Sequence, residues 1–550
     1  MRRTVLLDRL HVTRRWILLL ALLVLAISAC TNEGGGTKAA PGGTTAGTTA
    51  SGATTGPTDL TTALLAIEQG PRYQQSDWGY LVLDQKTGEV LASQSPVRMF
   101  DAGSTMKTFA VSAALEHYGT DYVFHTPVYR AGTQSGDTLN GNLVLVGSGD
   151  LSFGLRKQPD GSLYYENLPD LDHSYATVGL PGAVEPPGDP LGALDELAAS
   201  VKAAGITRVN GDVVIDDRLF TPHKYPDGLV SPIWVNENLI DIEVTPGSAA
   251  GQATTIDWRP KTASYTVETQ ATTVDAKEAT ALDVTEPTPG HLVVTGKIAA
   301  GNTPTLVVKE ITDPSAFART AFIEVLQRAG VTVTATPTGP NPASLLPAKD
   351  SYPAADKLGE HVSANLAAYI KLIMKVSYNR GADLMTCLAA VKTGSTDCEQ
   401  GLVAEVKTAT ALGVSEDQML PFDGAGSDDQ SRVTPTALAT FYKEATQAPY
   451  AKELSDSLPV LGKDGTLANV LPDSPAAGKV QMKTGNRVVG TPADQIIVLG
   501  NSLAGYIEAK SGRQVTFMVG VSNVPIATPA EFEQVTGDQA KMAAAIQQAF

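Results

Sequence analysis

A multidomain α+β fold, with an antiparallel sheet flanked by helices and interrupted by a large mostly-β insertion, is predicted by three observations. Strand-like and helix-like segments alternate at both ends of the chain, the middle is rich in short β-branched stretches broken by Pro and Gly, and about 490 residues follow the last low-complexity segment, too many for one common domain. A hairpin is expected at about 79–92, and Met106, Phe109, Ala110, Ala113 and Ala114 then recur at helical spacing. Helices are expected through 360–412, with Val362, Leu366, Tyr369, Ile370 and Ile373 on one face. Strands follow near 495–500 and 515–521, and a helix from Pro529 to Phe550 closes the chain. Between these ends, Tyr265-Thr266-Val267 and Leu292-Val293-Val294 typify a region expected to be mostly strands in two lobes, with one helical stretch around Ala193 to Ala204. The expected division is therefore 59–130 with 352–550 as one body, and 131–351 as the inserted region.

The first 29 residues are set apart as a signal peptide. Arg2, Arg3, Arg9, Arg14 and Arg15 precede an apolar run from Trp16 to Ile27, shorter than the roughly 20 residues a membrane-spanning helix needs. The run ends in Ile27-Ser28-Ala29-Cys30, which resembles a bacterial lipobox. That resemblance implies cleavage before Cys30, acylation of the cysteine, and an exported protein anchored to the outer face of the bacterial cell membrane. An ordinary secretory signal with an incidental cysteine is the alternative. Residues 31–58 contain no Val, Ile, Leu, Met or aromatic residue, so with Cys30 they form a flexible Gly/Thr/Ala linker of roughly 30 Å reach.

After removal of residues 1–29 the chain carries 36 basic and 57 acidic side chains, net −21, which argues against nucleic acid as a partner. With Cys30 set aside, Cys387 and Cys398 remain as a pair in an oxidising compartment, where a local disulfide or two free buried thiols are the options. Neither cysteine has the His and acid neighbours of a zinc site, and the seven histidines include no H-E-x-x-H, so neither a metal nor another cofactor is indicated.

Chemistry is carried by three clusters. In Asp101-Ala102-Gly103-Ser104-Thr105-Met106-Lys107, Ser104 and Lys107 lie three apart and become neighbours on a helix, so a lysine in a dry site could deprotonate the serine without any histidine. S-x-x-K alone is weak, because such pairs arise by chance on surfaces. Val376-Ser377-Tyr378-Asn379 follows a helical stretch and supplies a hydroxyl for proton relay and an amide for holding substrate, though S-x-N also suits a helix cap. K-T-G occurs three times. Lys86-Thr87-Gly88 reads as a hairpin turn and Lys392-Thr393-Gly394 lies in a polar stretch between the cysteines. Lys483-Thr484-Gly485 ends an apolar-leaning strand after the other two clusters, and its ammonium and hydroxyl suit a terminal carboxylate.

S-x-x-K, S-x-N and K-T-G in this order resemble the penicillin-binding proteins and serine β-lactamases. With 269 residues between Lys107 and Ser377 and only 103 between Asn379 and Lys483, the chain is most similar to the low-molecular-mass class C penicillin-binding proteins. Val146 to Asp150, Gly211 to Asp217, Val235 to Asn238, Asp423 to Ser427 and Asp464 to Leu467 agree with that group. The resemblance implies a penicillin-recognising transpeptidase-like domain with D-alanyl-D-alanine carboxypeptidase or endopeptidase activity on peptidoglycan stem peptides, inhibited covalently by β-lactams. It also implies that Ser104 is acylated with Lys107 as base, that Ser377 and Lys483 pass a proton to the departing D-alanine, and that Asn379 holds the substrate. Thr484, Gly485 and Asn486 would line the carboxylate grip, with the Ser104 and Asn486 backbone N–H groups as the oxyanion hole. Asn486 departs from the Thr or Ser usual after K-T-G, which bears on substrate preference. The rivals are a β-lactamase, for which Glu416 is the one acid in a suitable interval but reads as a solvated turn residue, and an inactive wall-peptide-binding lipoprotein.

Overall fold

The computed structural model describes residues 58–180 and 182–550. The signal peptide, Cys30 and the linker up to residue 57 lie outside the described residues. Five antiparallel strands form the central sheet: β1 (Asp77–Asp84), β2 (Val90–Gln94), β3 (Val480–Gly490), β4 (Ile496–Glu508) and β5 (Gln514–Ile526), in the spatial order β2-β1-β5-β4-β3. β4 and β5 read as nearly continuous apolar runs because both faces of the sheet are covered. On one face Leu60 and Leu64 of the Thr58–Glu68 helix and Val535, Ala543 and Ile546 of the Pro529–Ala549 helix pack on Val82, Val519 and Val480. On the other, Met106, Phe109 and Phe441 pack on Ala504 and Met518. Lys86-Thr87-Gly88 is the β1–β2 turn, with Thr87 donating to Asp84 and Gly88 at φ 75°. Mixed α and β elements in several sheets make this an α+β protein.

The second half of the core is a helical layer. The Lys107–Tyr118 helix packs with Leu366–Val376 and Asn379–Lys392, burying Phe109, Leu366, Tyr369, Ile373 and Leu384. The helix expected to include Val362 begins later: Asn365 caps it by accepting from the Ala368 N–H, and Val362 sits in the Lys357–Asn365 strand, paired with His125 of the Val123–Ser135 strand. Val362 falls on the helical period of residues 366–373, one turn upstream of where the helix starts.

In the central region a six-stranded mixed sheet combines Val123–Ser135, Thr138–Val146, Arg208–Val209, Val213–Asp216, Thr332–Val333 and Lys357–Asn365. Helices Gly192–Ala203 and Pro314–Arg328 share its apolar core through Leu194, Leu197, Phe317 and Phe322. The second of these helices was not expected from the sequence, although Asp313 caps it and Pro314 opens it. A further three-stranded and a four-stranded sheet occupy residues 239–310. Among the described residues no helix is long and apolar enough to cross a membrane.

Candidate active site

The Ser104 segment is set by backbone geometry before any side chain acts. Gly103 to Met106 form a single 3-10 turn, and the α-helix proper starts at Lys107. Gly103 has φ 46°, and a Cβ there would lie 2.5 Å from the Asn486 nitrogen, so only glycine lets the turn close onto β3. The same close approach is met from the other side by Gly485, whose added Cβ would be 2.4 Å from the Ala102 carbonyl oxygen. Asp101 secures the turn by accepting from the Gly103 N–H at 3.0 Å.

The three clusters predicted from the sequence converge here. Lys107 Nζ donates to Ser104 Oγ at 2.7 Å, to Asn379 Oδ1 at 2.6 Å and to the Ala425 carbonyl at 2.8 Å. Lys483 Nζ donates to Ser377 Oγ at 2.8 Å and to its neighbour's carbonyl, Thr484 O, at 2.8 Å. Both ammonium groups are fully buried, and burial pulls their pKa values down: Lys107 to about 8, against the pull of Asp227, Asp383 and Asp423, and Lys483 well below the usual lysine range, with the positive Lys107 adding to the effect. Ser377 caps the Leu366–Val376 helix in the left-handed region at φ 61°, and Asn379 opens the next helix, so one sharp turn points both side chains at the two lysines. Thr484 Oγ1 lies 3.3 Å from Thr466 Oγ1, and Asn486, opposite Asn501 in the sheet, is exposed at the lip. K-T-G sits inside β3 and not at its end, because the strand continues to Gly490 beside β4. The other K-T-G triplets are elsewhere: Lys392 lies 4.3 Å from the Tyr118 ring centroid.

Other groups complete the surroundings of the site. The Ala425 carbonyl faces Lys107 because Asp423 accepts the N–H groups of Gly426, Ser427 and Asp428, while Asp383 accepts that of Ala425 at 3.0 Å. The Asp423-Gly424-Ala425-Gly426-Ser427 run was visible in the sequence, but its use of a backbone oxygen leaves no side-chain signal. Cys387 and Cys398 are joined in a disulfide that ties the Asn379–Lys392 helix to the start of Glu399–Ala411. Asp172, His173 and Glu237 bring ligand atoms within 4.8 Å of one another, a spacing a cation could use. That place is filled by the Arg156 guanidinium, which bonds Glu166, Asp172 and Glu237, and by His173, whose two ring nitrogens face Asp241 and Glu237 at 2.9 Å each.

The chain is 28% identical over 453 residues to a D-alanyl-D-alanine carboxypeptidase of Actinomadura sp. strain R39, covering 78% of this chain and 76% of that protein. It is 22% identical over 464 residues to D-alanyl-D-alanine carboxypeptidase DacB of Haemophilus influenzae, covering 80% and 85%. The crystal structure of penicillin binding protein 4 from the same organism superposes with a TM-score of 0.65 at 20% identity, covering 88% of this chain and 98% of that one, which shows a shared fold. Because the model of the D-Ala-D-Ala carboxypeptidase 3 (S13) family matches residues 60–544, the chain belongs to that family and is a serine-type peptidase.

Proposed function

We propose that the chain cleaves the terminal D-Ala-D-Ala bond of peptidoglycan stem peptides through an acyl-enzyme on Ser104. The observation that carries this reading is the environment of Lys107. A neutral amine has two N–H groups and one lone pair; with Asn379 Oδ1 and the Ala425 carbonyl accepting the two N–H groups, the lone pair is left for the Ser104 hydroxyl. A pKa of about 8 keeps an appreciable neutral fraction near neutral pH. Ser104 Oγ attacks the carbonyl carbon of the penultimate residue as its proton passes to Lys107. The oxyanion is met by the Ser104 and Asn486 N–H groups, and the C–N bond breaks as Ser377, backed by Lys483, protonates the leaving amine. Water then releases the acyl group. Thr484, Gly485 and Asn486 grip the terminal carboxylate.

The same reading makes β-lactams covalent inhibitors, in line with the Haemophilus influenzae protein, whose structure is also known complexed with a β-lactam. It divides the chain into a catalytic body of 59–130 and 352–550 and an inserted region of 131–351; supporting it, all three motifs and the whole central sheet come from the body. A peptidase of wall peptides works outside the cytoplasm, so the chain is exported, and we propose Cys30 as its lipid anchor.

The test is labelling of residues 59–550 by a fluorescent penicillin, with intact mass spectrometry, beside Ser104→Ala. A stable adduct lost in the variant is expected. Absence of an adduct on folded protein would favour a wall-peptide-binding lipoprotein, and rapid release of opened drug a β-lactamase.

A further inference from the structure

The inserted region does more than border the site; it grips the turn that carries Ser377. Tyr175, from the inserted region, donates its hydroxyl to the carbonyls of Val376 and Ser377, at 3.0 Å each. The Glu237 carbonyl accepts from Arg380 Nη2 at 2.9 Å, one residue past Asn379. Asn167 Oδ1 accepts from the Gly465 N–H at 2.6 Å, and Asn469 Nδ2 donates to the Leu168 carbonyl at 3.0 Å, so the same segment also clasps the loop bearing Thr466.

These contacts share one anchor. Residues Glu166, Asp172, His173 and Glu237 are drawn together around the fully buried Arg156 guanidinium, and Arg259 adds a bond to Asp241 at 3.2 Å on the far side. The arrangement is costly: Asn236, Glu237 and Asn238 are three successive non-glycine residues at φ 51°, 53° and 55°. It is also densely bonded, because the buried guanidinium meets three carboxylates directly. On the body side, the left-handed Ser377 turn is tied by Lys375 Nζ to Asp464 at 2.7 Å and to the Leu458 carbonyl at 2.6 Å, and by the Tyr378 N–H to the Ile373 carbonyl at 2.9 Å.

We infer that the Arg156 cluster is a positioning device, which through the Tyr175 hydroxyl fixes the Ser377 turn so that the Ser377 hydroxyl stays in register with Lys483 for proton delivery. The inference rests on the proposed acyl-enzyme mechanism. Tyr175, Arg156 and His173 act through Ser377 and touch no reacting atom.

A double-mutant cycle tests it in the full-length chain. Penicillin acylation rates, normalised to active sites titrated in each preparation, are measured for the native chain, Tyr175→Phe, Ser377→Ala and the double variant, with kcat and KM on a D-Ala-D-Ala peptide and thermal melts alongside. Tyr175→Phe removes one hydroxyl and should lower acylation and kcat on the order of tenfold, less than the roughly 10²–10⁴ that a positioned proton-transfer group supplies, with KM little changed. In the Ser377→Ala background the same change should cost less than about twofold. Equal losses in both backgrounds, or no kinetic loss, would overturn the inference, as would a fall in melting temperature with unchanged rate per active site. Arg156→Lys gives a second arm should Tyr175→Phe fold poorly: it keeps the charge, loses the fork, and should show the same non-additivity with Ser377→Ala. Failure of the native chain to be acylated at all would instead refute the underlying mechanism.

Discussion

The protein holds two clusters of fully buried cations, and they are treated in opposite ways. Around Arg156 and His173 every cation bonds directly to carboxylates: burial alone would strip the His173 proton, but Asp241 and Glu237 hold its pKa up at about 10. Around Lys107 and Lys483 the hydrogen-bond partners are two hydroxyls, an amide oxygen and backbone carbonyls, and the nearby carboxylates of Asp227, Asp383 and Asp423 act on Lys107 only from a distance. Burial is the same in both places. What decides whether a cation keeps its proton is the charge of the atoms in direct contact, and that separates a scaffold from a centre that can move protons.

Changing the character of one cluster into that of the other should break the pattern. The largest effect is expected from Lys107→Arg, which puts a group that never loses its proton in the base position; penicillin acylation should fall by roughly 10⁴, read by stopped-flow mixing with unchanged circular dichroism. Arg156→Met leaves Glu166, Asp172 and Glu237 without their shared cation, and denaturant melts should show a loss of about 4 kcal/mol. Asn379→Asp brings a carboxylate into contact with Lys107. In the native chain the acylation rate should rise with pH through about 8, as Lys107 becomes neutral; in Asn379→Asp that limb should move up by about two units, and the rate at pH 7 should drop about 100-fold.

The smallest effect concerns stability alone. Burial raises the Glu405 carboxyl to about 8, with Thr386 as its donor and Oε2 without a partner among the described residues. A folded pKa raised above the unfolded value means that this carboxyl favours the folded state most below about 4.5, and that the advantage is lost as pH rises to about 8. Glu405→Gln should therefore stabilise by about 2 kcal/mol at pH 8 and by little at pH 4, measured by urea melts at the two values.

The contrast also explains what could be read from the sequence. Ser104 with Lys107, Ser377 with Asn379, and Lys483 with Thr484 each lie within a few residues of one another, so local spacing carries their chemistry, and chain order chose among the three K-T-G triplets. Arg156, Glu166, Asp172, His173, Glu237 and Asp241 are scattered over two stretches more than sixty residues apart and meet only through the fold, so no spacing announces them. Tyr175 was invisible for the same reason. The central-region helix at 314–328 is a different case: Asp313-Pro314 followed by Phe317, Ala318, Ala321 and Phe322 is a capped amphipathic pattern, outweighed by the β-branched residues on either side. Val362 shows the converse, a periodic residue whose partner strand, 123–135, lies far back in the chain.

β3 is the last strand of its sheet, and among the described residues its outer edge is bridged near its start, where Val460 pairs with Gln481. From Gly485 to Arg487 no strand pairs with this outer edge among the described residues, so main-chain groups there face whatever lies alongside. A linear peptide can join there as a sixth strand, recognised through bonds common to every residue. Discrimination among wall chemistries would then fall to the few side chains that overhang the groove, which is where divergence between relatives should be sought.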